Sequence, residues 1–153
     1  MTITLEAIEA KHSELGQLIE RFKEQEKGAE IRIHDTVIPL AAGERFAGVV
    51  LNEDGTLSHY LIKLAGEVED VDFKTAREWA SSKGGELPTR PEQALLYANL
   101  KGEFSTNWYW SGEEHEDGFA WCQYFHDGYQ SHRLSQNYRL RAVAVRRFIP
   151  SVI

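Results

Sequence analysis

The residues of this 153-residue chain that could do chemistry fall into three sets. The first is Cys122 with the histidines His12, His34, His59, His115, His126 and His132. A thiol nucleophile needs an activated, accessible sulfur and a nearby base. Cys122 lies between Trp121 and Gln123 in an aromatic run and reads as a small buried hydrophobe. The histidines lack the paired spacing of metal ligands; His126 and His132 could meet only across a loop. The second set is the acidic run Glu113, Glu114, Glu116 and Asp117. It lacks the alternating ligand spacing of a calcium loop and reads as a solvated hairpin turn. No glycine-rich phosphate cradle is present, because Gly84-Gly85 follows a helix and stops it. The expectation is no catalytic residue, no metal, no cofactor and no enzyme.

The third set is aromatic rings interleaved with arginines. Of the 17 aromatic residues, 11 lie between Phe104 and Phe148. Aromatic planes and guanidinium forks suit contact hot spots, sugars, or a base with a phosphate. Trp110, Trp121 and Phe125 are expected in the core. Tyr129, His132, Arg133, Tyr138 and Arg139 are expected to be exposed and ligand-binding, with Trp108 and Tyr109 beside them at the border of the core.

Composition narrows the partners. The net charge of −7 argues against general nucleic-acid binding. Between His126 and Phe148, however, Arg133, Arg139, Arg141, Arg146 and Arg147 face a single acid, Asp127. That basic end could attract an acidic partner or a small anion. A single cysteine excludes an intrachain disulfide. The start, Met1 to Glu6, has neither the basic nor the apolar region of a signal peptide. No apolar run is long enough to span a bilayer. The expected setting is the cytoplasm of the producing cell, or a virion assembled there.

Elements must position these residues. Thr4 can cap a helix to about Gln25 whose Leu5, Ile8, His12, Leu15, Ile19 and Phe22 alternate spacings of three and four, a heptad seam. Residues 1–27 are thus a helix that either homo-oligomerises or docks on its own domain, with homo-oligomerisation the expectation, and residues 28–153 a binding domain. Ile31 to Ile33 and Val37 to Leu40 read as extended, with Pro39 confining the latter to an edge or turn. Glu44–Leu51 and Leu57–Leu64 form a hairpin on Asp54-Gly55. Gly66 to Asp70 reads as an acidic loop. Asp72 caps a helix over 73–82. Thr89, Pro91 and Glu92 open another to about Leu100, which buries Ala94, Leu95 and Ala98. Phe119, Trp121, Gln123 and Phe125 share one strand face. Tyr129 to Leu140 reads as a long polar loop, and Ala142 to Val145 as a central strand.

The order of these pieces resembles the bacterial and phage branch of C-type-lectin-like domains, most of all the C-terminal domain of bacterial collagen-like adhesins. The matching residues are Leu87-Pro88-Thr89 with Glu92, Tyr109-Trp110-Ser111, Ala120-Trp121 with Phe125 and Gly128, and Arg141 to Arg146. The resemblance covers about Val71 to Phe148. It implies an α+β fold, a mixed, looped antiparallel sheet with two flanking helices, used for binding. The Glu-Pro-Asn and Trp-Asn-Asp calcium motifs of sugar-binding members are missing here, so calcium-dependent sugar binding is not expected. Phage receptor-binding relatives carry their variable residues in late loops, comparable in place to Tyr129–Tyr138.

Two functions follow as expectations. One is a non-enzymatic phage or prophage module that recognises a protein or glycan without calcium. The other is a cytoplasmic small-ligand binder that sequesters a nucleotide-like host signal in phage counter-defence.

Overall fold

A computed structural model describes residues 2–28 and 35–150. The chain divides into two units, Met1–Asp35 and Thr36–Ile153. In the first, helix α1 spans Leu5–Glu26, and the Thr4 hydroxyl accepts the Ala7 N–H at 3.2 Å as the N-cap. None of its residues is buried. The seam residues Leu5, Ile8, Leu15, Ile19 and Phe22 all face solvent, as does Leu18. Lys11–Glu14 and Lys23–Glu20 pair one turn apart on the polar faces. The extended stretch expected at Ile31 to Ile33 lies outside the described residues.

The second unit is α+β. In chain order it runs β1 (Arg45–Leu51), β2 (Leu57–Lys63), β3 (Val68–Val71), α2 (Phe73–Ser82), α3 (Arg90–Leu100), β4 (Trp108–His115), β5 (Phe119–Tyr124), β6 (Gln130–Ser135), β7 (Leu140–Ala142) and β8 (Val145–Phe148). One sheet has the order β1-β2-β8 and the other β3-β7-β4-β5-β6. Neighbours pair antiparallel, except that β4 and β7 are parallel.

Local chemistry explains most boundaries. Gly55 takes φ +84° in the β1–β2 turn, and the Asp54 carboxylate accepts the Thr56 N–H at 3.0 Å. The Asp72 carboxylate caps α2 through the Thr75 N–H at 2.8 Å. Thr89 and Glu92 form a reciprocal capping box at α3. Gly85 lets the chain pass close to β8, where an added Cβ would stand 2.5 Å from the Val145 carbonyl oxygen.

Several expectations are corrected. Val37 to Leu40 forms no strand. The acidic stretch near Gly66 to Asp70 contains β3, and the supposed late loop contains β6. Strand β4 continues through Glu113 and Glu114, so the turn is Glu116 to Gly118. Helix α3 buries Glu92, Gln93 and Leu96, whereas Ala94 and Ala98 face solvent. On β5 Ala120 and Cys122 are buried towards α2 and Gln123 is buried against α3, whereas Trp121 is only half-buried and Phe119 is exposed.

The run Ala142 to Val145 is not one strand. It leaves the larger sheet at Ala142 and joins the smaller at Val145. All four side chains are buried, and they alternate between two cores. Ala142 and Ala144 join Phe73, Ala76, Ala80, Trp110 and Cys122 in the core under α2. Val143 and Val145 join Leu61, Leu96, Phe104, Tyr109 and Phe125 in the core under α3. An apolar run that must satisfy two cores carries no polar face, which is why it mimics a central strand.

Candidate functional site: an aromatic strip beside a hollow

Strand β4 enters the larger sheet at Trp108, opposite Tyr124 of β5. Their rings stack with centroids 5.0 Å apart. Tyr129, at the entry to β6, meets Trp108 edge-on at 6.2 Å. His126 lies 5.6 Å from Tyr124. These rings form a strip at one end of the sheet. Trp108 also walls a hollow of about 340 Å³, whose other lining residues are Glu69, Asp70, Asn107, Arg139, Leu140 and Arg141. Strand alternation explains the arrangement. Trp108 and Trp110 point to the same side of β4, but Trp110 is sealed beneath Phe73 of α2 while Trp108 stays half-buried.

The expected site residues therefore separate. Trp108, Tyr129 and Arg139 come together around the strip and hollow. Tyr109 does not belong with them. It is 0% exposed in the core under α3. Its hydroxyl donates to Glu67 and accepts the Ser105 N–H at 3.1 Å. Burial, then the Glu67 hydrogen bond, raises the tyrosine's pKa. Its neighbour in sequence points to the other face, so only one of the two can reach solvent there. Tyr138 is exposed in the turn after β6 and does not line the hollow.

His132 and Arg133 lie at a second place. Between the Trp110–Cys122 and Glu114–Ala120 pairs, β4 sets Ser111, Gly112 and Glu113 against Trp121 alone. Between its own pairs with Cys122 and Ala120, β6 sets His132 and Arg133 against the same residue. Trp121 is thus flanked by irregular register on both sides, and the freed rings converge on it. His132 lies 4.7 Å and His115 5.6 Å from its centroid, and the two imidazoles are 4.2 Å apart. The Arg90 guanidinium covers the indole at 3.3 Å and donates to the side-chain amide oxygen of Gln130. This is a packed aromatic–cation cluster. The Arg133 guanidinium makes no hydrogen bond or ion pair among the described residues.

The basic end is largely neutralised in place. Arg139 donates to Asp70 at 3.0 Å, and Arg141 donates to Glu67 and Glu69 at 2.7 Å each. Arg146 is held by Glu44 at 2.8 Å. Arg147 binds Glu92 and also Glu86. The acids come from β3, from the first turn of α3 and from loops distant in sequence, so a count along the chain could not pair them.

One constellation that sequence reading missed has the residue types of a nucleophilic triad. The Ser58 hydroxyl is 2.9 Å from His59 Nδ1, and His59 Nε2 is 2.8 Å from Glu92. A triad acid must hold and polarise its histidine. Burial alone would raise the Glu92 pKa. The two hydrogen bonds from Arg147, the Thr89 N–H, the Arg147 charge and, last, the His59 hydrogen bond pull it down to about 2. Its charge is committed to the guanidinium, and the set acts as a latch between β2, α3 and β8. Burial pushes the Cys122 thiol up to about 12, where it is no nucleophile at neutral pH. No group of three or more His, Cys, Asp or Glu among the described residues could hold a metal ion.

No protein-family model matches this chain, and no curated protein matches it. No helix among the described residues is long and apolar enough to cross a membrane.

Proposed function

We propose that the second unit is a recognition domain of the C-type-lectin-like class, from its phage and prophage branch, that binds a protein or glycan partner without calcium. The observation that carries this reading is the strip of Trp108, Tyr124 and Tyr129 beside the hollow. Tyr129 is 59% exposed although tyrosine has a large apolar ring. Aromatic residues left at a concave surface supply contact area at low conformational cost. The α+β class, with two helices among the strands, supports the reading at the coarse level, although the strands form two sheets rather than one. The small-anion alternative loses support, because Arg139, Arg141, Arg146 and Arg147 already have carboxylate partners. In this reading α1 is the homo-oligomerisation element, the domain is not an enzyme, and it works in the cytoplasm or on a virion.

Labelled full-length protein applied to a glycan panel and to a panel of bacterial surface proteins tests the reading. Binding should persist in EDTA and be lost in Tyr129→Ala and Trp108→Phe. Binding that requires calcium, or that ignores both substitutions, refutes it.

A further inference from the structure

The hollow beside Trp108 carries a different charge from the one its arginines suggest. Arg139 and Arg141 are bound to three carboxylates, those of Glu67, Glu69 and Asp70. The group is one negative charge in excess. Glu67 is tied further by the Tyr109 hydroxyl. The other two acids face solvent, and Asp70 is the more loosely held, since Arg141 opposite Glu69 is only 25% exposed. The side chains of Asp70 and Glu69 are 77% and 62% exposed, and Arg139 opposite Asp70 is 63% exposed. An ion pair open on both sides contributes little, so either partner can be exchanged for a better one.

The third component is the wall. A Trp indole presents a negative π-face, and cations within about 6 Å of such a ring are attracted to it. Tyr124 stacks on Trp108 and Tyr129 meets it edge-on, which holds the indole in place. The surrounding field has the same sign, since the whole chain carries −7.

We infer that the hollow receives a guanidinium or ammonium side chain from a basic polypeptide partner. This rests on the recognition reading above and specifies the chemistry of the partner at that same face. The incoming cation lies against Trp108 and takes the carboxylates of Asp70 and Glu69, while Arg139 swings into solvent. A guanidinium fits best, because it can stack flat on the indole and fork onto a carboxylate at once. An acidic partner meets the opposite arrangement. It must compete with three carboxylates for two arginines and has no attraction to the ring.

The test uses full-length protein and three labelled peptides of equal length, one arginine-rich, one glutamate-rich and one uncharged, beside a set of neutral glycans. Fluorescence anisotropy is read at low and high salt. The arginine peptide should bind at least about ten-fold tighter than the others, an advantage that salt removes. The double variant Glu69→Gln, Asp70→Asn should lose that preference. Both side chains are exposed, so the variant keeps the fold, which circular dichroism checks. If a glycan or the acidic or uncharged peptide binds better, in a Trp108-dependent way, the cation proposal is wrong and the recognition reading survives. If the arginine peptide binds but the double variant binds it equally well, the hollow is not its site and the proposal is overturned. If nothing bound depends on Trp108 or Tyr129, both readings fail.

Discussion

Arg147 grips Glu92 with two parallel hydrogen bonds, Nε to Oε2 and Nη2 to Oε1, each 2.8 Å long. The carboxylate is 1% exposed and the guanidinium side chain 28%, so the pair joins β8 to the first turn of α3 with only its arginine side open to water. Folding lowers the Glu92 pKa from 4.5 to about 2. A depressed carboxyl pKa stabilises the fold at every pH above the unfolded value. That contribution is lost as pH falls from 4.5 through about 2. It amounts to about 3 kcal/mol by linkage. Glu92→Gln should lower the melting temperature at neutral pH and flatten the acid limb of the stability curve. Melts taken across this range would contradict the assignment if both proteins lost stability in parallel.

The burial of Tyr109 separates a structural tyrosine from a ligand-binding one. Tyr109→Phe keeps the ring among Phe104 and Phe125 and removes only the hydroxyl that serves Glu67 and Ser105. Urea unfolding should show a loss of about 1–2 kcal/mol. Ligand binding at the Trp108 face should be unchanged. A variant that binds poorly but unfolds normally would return Tyr109 to the surface.

Gly85 sits where the chain between α2 and α3 touches β8, and Glu86 exchanges both backbone hydrogen bonds with Val145. A methyl group at position 85 would meet the Val145 carbonyl oxygen at 2.5 Å and the Leu64 side chain at 2.7 Å. One obstacle is backbone, so it cannot rotate away. Gly85→Ala should cost about 1–3 kcal/mol, whereas Gly102→Ala, which meets nothing within 4 Å, should be near neutral. Equal melting temperatures for the two variants would show that the close approach is absent.

The exposed seam of α1 makes association a measurable property. Light scattering should report an oligomer for the full chain and a smaller mass for a chain beginning at Gly28. His12→Leu should tighten association, because a polar seam residue sets register at a cost in stability. A monomeric full chain would remove the basis for this role.

The helices were legible because their ends are written in side chains. Thr4, Asp72 and Thr89 each accept the backbone N–H that capping requires. The strands that escaped sequence reading, β3 and β6, are the two edges of the five-stranded sheet. Edge strands are short and polar because one side faces water and must discourage further pairing. Val68–Val71 and Gln130–Ser135 therefore look like loops. Helix α3 misled in the opposite way. Its inward Glu92 and Gln93 are polar; Arg147 and His59 receive Glu92, and the Tyr109 carbonyl receives the Gln93 amide N–H while the Gln93 Oε1 stays unpartnered. Those partners are far away in the chain, so no local pattern announces them. The same holds for the hollow. Trp108 and Arg139 were recognisable as residue types, but Asp70 and Glu69 reach them only through the pairing of β3 with β7.

The crossing of residues 142–145 between the two sheets has a consequence for biosynthesis. Strand β7 fills the gap between β3 and β4, and β8 completes the sheet begun by β1 and β2. A growing polypeptide that has emerged only to residue 139 lacks a component of each sheet. Its early hairpin and its aromatic hairpin must wait, with apolar surface uncovered, for partners as distant as Tyr60 from Phe148. Such separation slows folding and prolongs exposure to aggregation. The chain should therefore consolidate in one late step, and fragments ending before β7 should be protease-sensitive and captured by chaperones.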